Sequence, residues 1–456
     1  MITLNPENGR RARLWHTSEN NNVVCDLTPR HCVIKNGNKG FCGVRMNKGG
    51  ELVTVNYGRS VHMAEEFIES EAVYQYYPGS KILSLGNIGC MMNCDFCQNW
   101  ETSQVRKVDL TNIVEYTPEQ VVESALIRGI GILSWTYNDP VVWHEFVIDT
   151  ARLARKHGLL NLYKSAFYIT KEAVKELCEV IDIFSISLKS MDEDFYKKIT
   201  KAELQPVLDA IKIVSEHNIH LEISNLMVTG LNDNDGDSRK IARWVKENVG
   251  VDVPLHYVRF HPDYKYTHVA RTAPEHLYAA KKIALEEGMK CVYIGNLYEK
   301  GVADSMCLSC GNVLISRFGQ DINTSGLTAD GKCIKCGKKS QIVAGKADFP
   351  DNKVSRKLKE MVSDGHINTQ KQFKWKNDVN ALHLNVDDNC NEMFVRITRQ
   401  PQNTISETIL GNQYGLNRIQ LSKQHIDEQS IEIEFSSQTD NELHLNPLLD
   451  RAHYPV

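Results

Sequence analysis

The sequence predicts an α/β fold: a partial or full (β/α) barrel with a small cysteine-containing N-terminal region, a four-cysteine ribbon-like module and a small C-terminal α/β appendage. Three observations predict it. From about residue 81 to about residue 300, apolar strand-like runs alternate with helical patterns, as βα units on a parallel sheet do. No Gly-x-Gly-x-x-Gly turn accompanies them, which argues against a dinucleotide-binding sheet. Two C-x-x-C pairs then follow the last run, before the pattern changes again.

Residues 1 to 80 form the N-terminal region. Cys25, Cys32 and Cys42 lie there with His31 beside them, and Gly37, Gly40, Gly43, Gly49 and Gly50 mark a compact, turn-rich unit. Those four side chains suit zinc or an iron–sulfur centre, and equally suit no ligand at all.

Residues 81 to 300 form the barrel. Strands are expected near 81 to 87, 131 to 137, 160 to 166, 183 to 189, 220 to 228, 254 to 260 and 291 to 295, with helices between them. Thr117-Pro118-Glu119-Gln120 opens one helix, with Thr as N-cap, Pro at the first position and Gln placed for a capping box. Val121, Val122, Ala125, Leu126 and Ile130 follow at helical spacing and give it an apolar face. Barrel chemistry gathers at the C-terminal ends of strands.

Directly after the first expected strand comes Cys90-x-x-x-Cys94-x-x-Cys97. Three thiolates on one tight loop can hold three irons of a cubane [4Fe–4S] cluster and leave the fourth open for chemistry. Structural zinc wants four ligands; this loop offers three sulfurs, no neighbouring histidine and no further cysteine until Cys178.

Residues 301 to 346 carry Cys307-x-x-Cys310 and Cys333-x-x-Cys336, separated by a strand-rich stretch. This is the spacing of a four-sulfur zinc ribbon, with a second iron–sulfur cluster as the alternative. Four thiolates leave no open position, so the module's role is structural. Residues 347 to 456 form an accessory module. Residues 347 to 378 read as charged and helical, and segments 381–386, 393–397 and 431–435 alternate as half-buried strands without a catalytic motif.

Thirteen cysteines favour metal ligation over disulfides in a chain whose first residues, Met1-Ile2-Thr3-Leu4-Asn5-Pro6, lack the regions of a signal peptide. Cys178 and Cys291 read as buried small hydrophobes, and Cys390 has no assignment. No apolar run is long enough to span a bilayer, so a cytoplasmic protein with no membrane partner is expected. A net charge of −4 with interspersed signs disfavours nucleic acid as a partner.

With Phe96 just before its last cysteine, the loop resembles the signature of radical S-adenosylmethionine (SAM) enzymes. Further segments extend the resemblance over about residues 23 to 345: Tyr77-Pro78-Gly79-Ser80, Cys97-Gln98-Asn99-Trp100-Glu101, Gly230-Leu231-Asn232-Asp233, Arg259-Phe260-His261-Pro262-Asp263-Tyr264 and Val292-Tyr293-Ile294-Gly295-Asn296. Together they resemble the radical SAM family of the AmmeMemoRadiSam system, itself similar to pyruvate formate-lyase activating enzymes. The resemblance implies a [4Fe–4S] cluster that cleaves SAM reductively to a 5′-deoxyadenosyl radical, with an electron donor such as flavodoxin or ferredoxin. It implies that Phe96, Thr136, Tyr137, Asn138, Asp139, Lys189, Glu222, Asn225, His256, Arg259 and His261 contact cofactor or substrate. The chain departs from the family pattern at Thr28, where a cysteine is usual, at Lys164-Ser165-Ala166 in place of Thr-Asn-Gly, at Asp139 in place of Glu, and at Ser187 in place of Asp.

The expected function is therefore a radical SAM enzyme abstracting hydrogen from a small-molecule or peptide substrate, in a biosynthetic pathway. Activation of a glycyl-radical protein is the alternative. A noncatalytic metal-ribbon binding protein comes third, disfavoured by charge and by the lack of a basic, aromatic-interleaved stripe.

Overall fold

The computed structural model describes residues 4, 7, 9–108, 113–345 and 347, together with the backbone of seven strands between 370 and 446. The chain divides into two compact units, Met1–Val122 with Ile130–Asp348, and Glu123–Gly129 with Phe349–Val456.

The centre of the first unit is an eight-stranded sheet: β1 (His62–Phe67), β2 (Lys81–Gly86), β3 (Ile132–Thr136), β4 (Leu160–Ser165), β5 (Ile183–Ser187), β6 (His220–Met227), β7 (Leu255–Arg259) and β8 (Val292–Gly295). The strands lie side by side in chain order. β2 to β8 run parallel, and β1 pairs antiparallel with β2. β1 and β8 are not paired with each other, so the sheet is open and the barrel is partial rather than full. All seven expected runs are strands. β1 was not expected, because its sequence His62-Met63-Ala64-Glu65-Glu66-Phe67 places two adjacent carboxylates where apolar alternation should be.

Side chains alternate across a strand with period two, and here the two faces differ in chemistry. Leu83, Leu133, Trp135, Tyr163, Phe184, Ile186 and Ile223 share one face, all wholly buried. The other face begins apolar: Ile82, Ile132, Leu162 and Ile183 pack with Ile68 and Val73. Two residues further along each strand it turns polar, through Ser84, Ser134, Lys164 and Ser185, reaching Thr136 and Ser187 at the strand ends. The C-terminal mouth is thus left for hydrogen bonding. The expected capping box is present: Thr117 N–H donates to Gln120 Oε1 at 2.9 Å, and Gln120 N–H to Thr117 Oγ1 at 3.3 Å.

The N-terminal residues make two three-stranded sheets. Arg45, fully buried, ties them to the barrel through Glu145 Oε1 at 2.5 Å. Residues 305–323 form a three-stranded antiparallel sheet over a small core of Cys307, Leu314, Ile315, Cys333 and Ile342.

In the second unit, Gln370–Lys374, Ser430–Ser437, Glu392–Arg399 and Thr404–Gly411 form one antiparallel sheet in that order; Gly415–Gln420, Ala381–Val386 and Leu443–Asn446 form another. The expected strands are there. The helical expectation for 347–378 is corrected at 370–374, where Gln370-Lys371-Gln372-Phe373-Lys374 pairs with 430–434 and its charge does not stop it extending. The rest of that expectation, Ala347 apart, lies outside the described residues, as does Cys390. Among the described residues no helix is long and apolar enough to cross a membrane.

Candidate active site

The three-cysteine loop leaves β2 and is held at several points. Asn138 accepts from Asn87 N–H at 3.0 Å and donates to the Gly89 carbonyl at 2.7 Å. Asn93 and Asp95 N–H donate to the Thr200 and Ile199 carbonyls. Gly89 adopts φ +87°, and a Cβ there would lie 2.7 Å from the Cys42 carbonyl oxygen, so only glycine fits. Asn99 Nδ2 donates to the Tyr137 carbonyl at 2.6 Å, fixing a residue whose φ of +68° is unusual for an aromatic side chain.

Cys94 is buried, and Cys90 and Cys97 are half-buried. Cys90 Sγ accepts from Met92 N–H at 3.4 Å, and Cys97 Sγ lies 3.7 Å from Ser103 Oγ. Burial pushes all three thiols up, Cys94 to about 12, and a metal that binds them takes the place of their protons. Phe96, buried behind the loop, meets Phe195 and Tyr266, and the Lys189 ammonium lies 5.6 Å from its ring centroid.

The sulfurs open onto a cavity of about 440 Å³ in the barrel mouth. Of the expected site residues, Phe96, Thr136, Tyr137, Asn138, Asp139, Lys189 and His256 line it with the three cysteines. Asp139 spends its carboxylate on the protein: it accepts from Val141 N–H (3.1 Å), Ser165 Oγ (2.8 Å) and Ala166 N–H (2.7 Å), tying the end of β3 to the end of β4.

Four expected residues do not line the cavity. Glu222, wholly buried, accepts from His256 Nε2 (2.6 Å), His220 Nε2 (2.9 Å) and the backbone N–H groups of Tyr74 and Gln75. Burial alone would raise its pKa, but the two histidines reverse this and hold it well below the usual carboxylate range. Asn225 donates to the Leu188 and Lys189 carbonyls at 2.9 Å each. Arg259 turns its Nε to the Thr272 carbonyl at 2.8 Å, and His261 is exposed. Glu222 and Asn225 are posts behind the wall. Arg259 and His261 lie aside from it.

The cavity also holds groups that sequence reasoning missed. Glu66, Glu69 and Glu71 enter from β1 and the turn after it, Ser224 from β6. The carboxylates had no signal because β1 had none. Burial pushes Glu71 up to about 7, and it accepts from Thr136 Oγ1 at 2.8 Å. Lys164 and Ser187, two of the family departures, also line the cavity, so a signal for them was present.

Two of the cysteine groups can be judged as metal sites by sulfur spacing. A single tetrahedral ion with metal–sulfur bonds of about 2.3 Å draws its sulfurs to about 3.8 Å of one another. Cys307 Sγ lies 3.7 Å from Cys336 Sγ, and Cys310 Sγ 3.7 Å from Cys333 Sγ. These four sulfurs all lie within 4.8 Å and are the only such group among the described residues. They fit one zinc ion, and they are too close for a second cubane. Cys90, Cys94 and Cys97 are spread wider than one ion allows, as befits ligands to three different irons.

Cys25, Cys32 and Cys42 are likewise not gathered within 4.8 Å of one another. His31 turns instead to Asp26 at 3.0 Å. The fully buried Arg45 lies beside Cys25 and Cys42, with Glu145 as its counter-ion.

Comparison with known proteins agrees with this geometry. Residues 87–245 match the model of the radical SAM superfamily. An uncharacterized protein of Methanocaldococcus jannaschii is 39% identical over 335 residues, which is 73% of this chain and 99% of that one. The chain belongs to one family with that protein and is a radical SAM enzyme. Its cofactors are a [4Fe–4S] cluster and SAM. The pyruvate formate-lyase 1-activating enzyme of Escherichia coli K12 is 21% identical over 232 residues, 47% of this enzyme and 93% of the relative. A solved domain of a pyruvate-formate lyase-activating enzyme from Bacteroides vulgatus, 18% identical over 36% of this chain and 98% of its own, superposes at a TM-score of 0.33, too slight to bear on the fold.

Proposed function

We propose that this enzyme is the radical SAM member of the AmmeMemoRadiSam system, a cytoplasmic catalyst that abstracts hydrogen from a small-molecule or peptide substrate in a biosynthetic pathway. The single observation that carries the reading is three sulfurs, one buried and two half-buried, that are not gathered around one point and that line a cavity in the barrel mouth. When bound, the cluster and SAM supply a carbon-centred radical, and flavodoxin or ferredoxin supplies the electron. The chain's own part is placement. Cys90, Cys94 and Cys97 would hold the cluster. Residues 136–139 would face the amino group of SAM. Lys189, with no carboxylate at ion-pair distance among the described residues, would face its carboxylate. Glu222 fixes His256, and Asp139 fixes the β3–β4 rim, so the cavity keeps one shape around its occupant.

Anaerobically reconstituted enzyme given SAM and dithionite should release 5′-deoxyadenosine, and Cys90→Ala should release none. Undiminished release by that variant would overturn the reading. The similarity to activating enzymes supports a second reading, activation of a glycyl-radical protein. A neighbouring gene carrying a glycyl-radical motif, together with oxygen-dependent cleavage of its product after incubation with this enzyme, would favour it.

A further inference from the structure

Lys164 stands in the middle of the cavity wall, on the polar face of β4, and the radical chemistry assigned above gives it no task. Its ammonium donates to Ser185 Oγ and Ser224 Oγ, each at 3.0 Å. Ser185 gives its own proton to the Glu71 carbonyl at 2.6 Å, so its lone pair is committed to the lysine. Two of three ammonium protons are thereby used. Among the described residues no carboxylate lies within ion-pair distance of the third. The Glu71 carboxylate acts on the amine from beyond ion-pair distance, so the third proton has no direct partner, and an amine left so at a cavity wall can take an anionic one.

The neighbours define what would fill it. Ser187 Oγ lies 3.3 Å from Ser224 Oγ, and when Ser224 donates across that pair, the Ser187 hydroxyl proton is free to face the cavity beside Lys164. His256 offers the opposite polarity. Its Nε2 is given to Glu222, and its buried Nδ1 has no partner. With Nε2 donating to Glu222, Nδ1 of the neutral ring is the acceptor, and burial favours that neutral form.

We propose that Lys164 and Ser187 form a subsite for a carboxylate of the substrate. One oxygen takes the lysine proton and the other the serine hydroxyl. A phosphate would bring further anionic oxygens against Glu71 and the His256 lone pair, so a monoanion fits and a dianion does not. Burial holds Lys164 down to about 8 despite the opposing charge of Glu71, and an anion bound beside it would raise that value. The inference rests on the radical SAM reading only for calling the ligand a substrate; the subsite is read from the protein alone.

The test is protection of a single amine, followed without turnover. The full chain, loaded with its cluster under anaerobic conditions, is reductively methylated with deuterated formaldehyde and cyanoborohydride. Labelling at Lys164 is then read by mass spectrometry against exposed lysines such as Lys35. Acetate should slow labelling at Lys164 by about fivefold or more, while acetamide and sodium chloride at matched ionic strength leave it unchanged. Ser187→Ala should raise the acetate concentration needed for that protection by about tenfold, the loss of one charge-assisted hydrogen bond. Equal labelling with and without acetate would overturn the proposal, as would protection by acetamide, or by inorganic phosphate as well as by acetate. Protection by SAM alone would assign the subsite to the cofactor and overturn the substrate assignment. Absence of 5′-deoxyadenosine from the wild type would defeat the radical reading and leave this measurement intact.

Discussion

The two ordered cysteine groups of this enzyme use the same ligand atom for opposite ends. In the module, four sulfurs converge on one point, two pairs at 3.7 Å, from two short turns, one within the three-stranded sheet and one beyond its last strand. In the barrel, three sulfurs spread along a loop that carbonyl, amide and asparagine contacts pin to β3 and to residues 199–200. The first arrangement closes a coordination sphere and the second leaves it incomplete. Spacing along the chain already separates the two, since C-x-x-C knuckles curl around one ion whereas C-x-x-x-C-x-x-C spans a larger body.

The largest effect should come from breaking the open group alone. Cys94→Ala should cut reductive SAM cleavage by about a thousandfold or more, roughly 4 kcal/mol on the barrier, and should remove iron while the zinc content stays unchanged. Metal analysis of one sample decides both halves; joint loss of iron and zinc would show that the groups are not independent. The mirror experiment is Cys333→Ala, which should remove zinc, lower the midpoint of thermal unfolding and leave cluster iron in place. If SAM cleavage then fell as far as in Cys94→Ala with iron retained, the closed group would have a chemical role and the contrast would fail.

A smaller effect should sharpen the contrast at the seam. Glu222 clamps Tyr74 and Gln75, and Gln75 in turn meets Gln341 of the module at 2.7 Å. Glu222→Gln should cost about 3 kcal/mol at pH 7, measured by urea unfolding. The pKa of Glu222 is depressed in the folded state, so its stabilisation is present above the ordinary carboxylate value of about 4.3 and is lost as pH falls below it. The gap between wild type and variant should therefore be full at pH 6 to 7 and narrow below about pH 4. The smallest effect serves as a reference away from both metals: Thr117→Ala should cost about 1 kcal/mol through loss of the helix cap, with iron, zinc and SAM cleavage unchanged.

What the sequence disclosed follows from the range of each signal. The seven parallel strands were legible because Ile82, Leu133, Leu162, Phe184 and Ile223 lie in apolar runs with turn residues between them. The cysteine loop, the ribbon and the Thr117 cap are local motifs and needed no tertiary knowledge. β1 escaped because Glu65 and Glu66 break its alternation, and with it went the carboxylates of the cavity. Arg259 looked like a substrate ligand from its place at a strand end, but the Thr272 carbonyl thirteen residues on captures its guanidinium, a contact that no local pattern shows. The surroundings of the N-terminal cysteines were hidden for the same reason. Nothing near Cys25 or Cys42 in sequence announces that Arg45 comes to rest beside them with Glu145, a hundred positions on, as its counter-ion.

Arg317 gives the module a reach beyond its own fold. From the strand Val313–Phe318 it donates to the Tyr74 carbonyl at 2.7 Å and meets Glu69 at 3.4 Å, both on the wall of the barrel cavity. A ribbon starved of zinc would withdraw that arginine and slacken the chamber even with its iron intact. Zinc loss would then lower the rate without removing the iron, by far less than Cys94→Ala does.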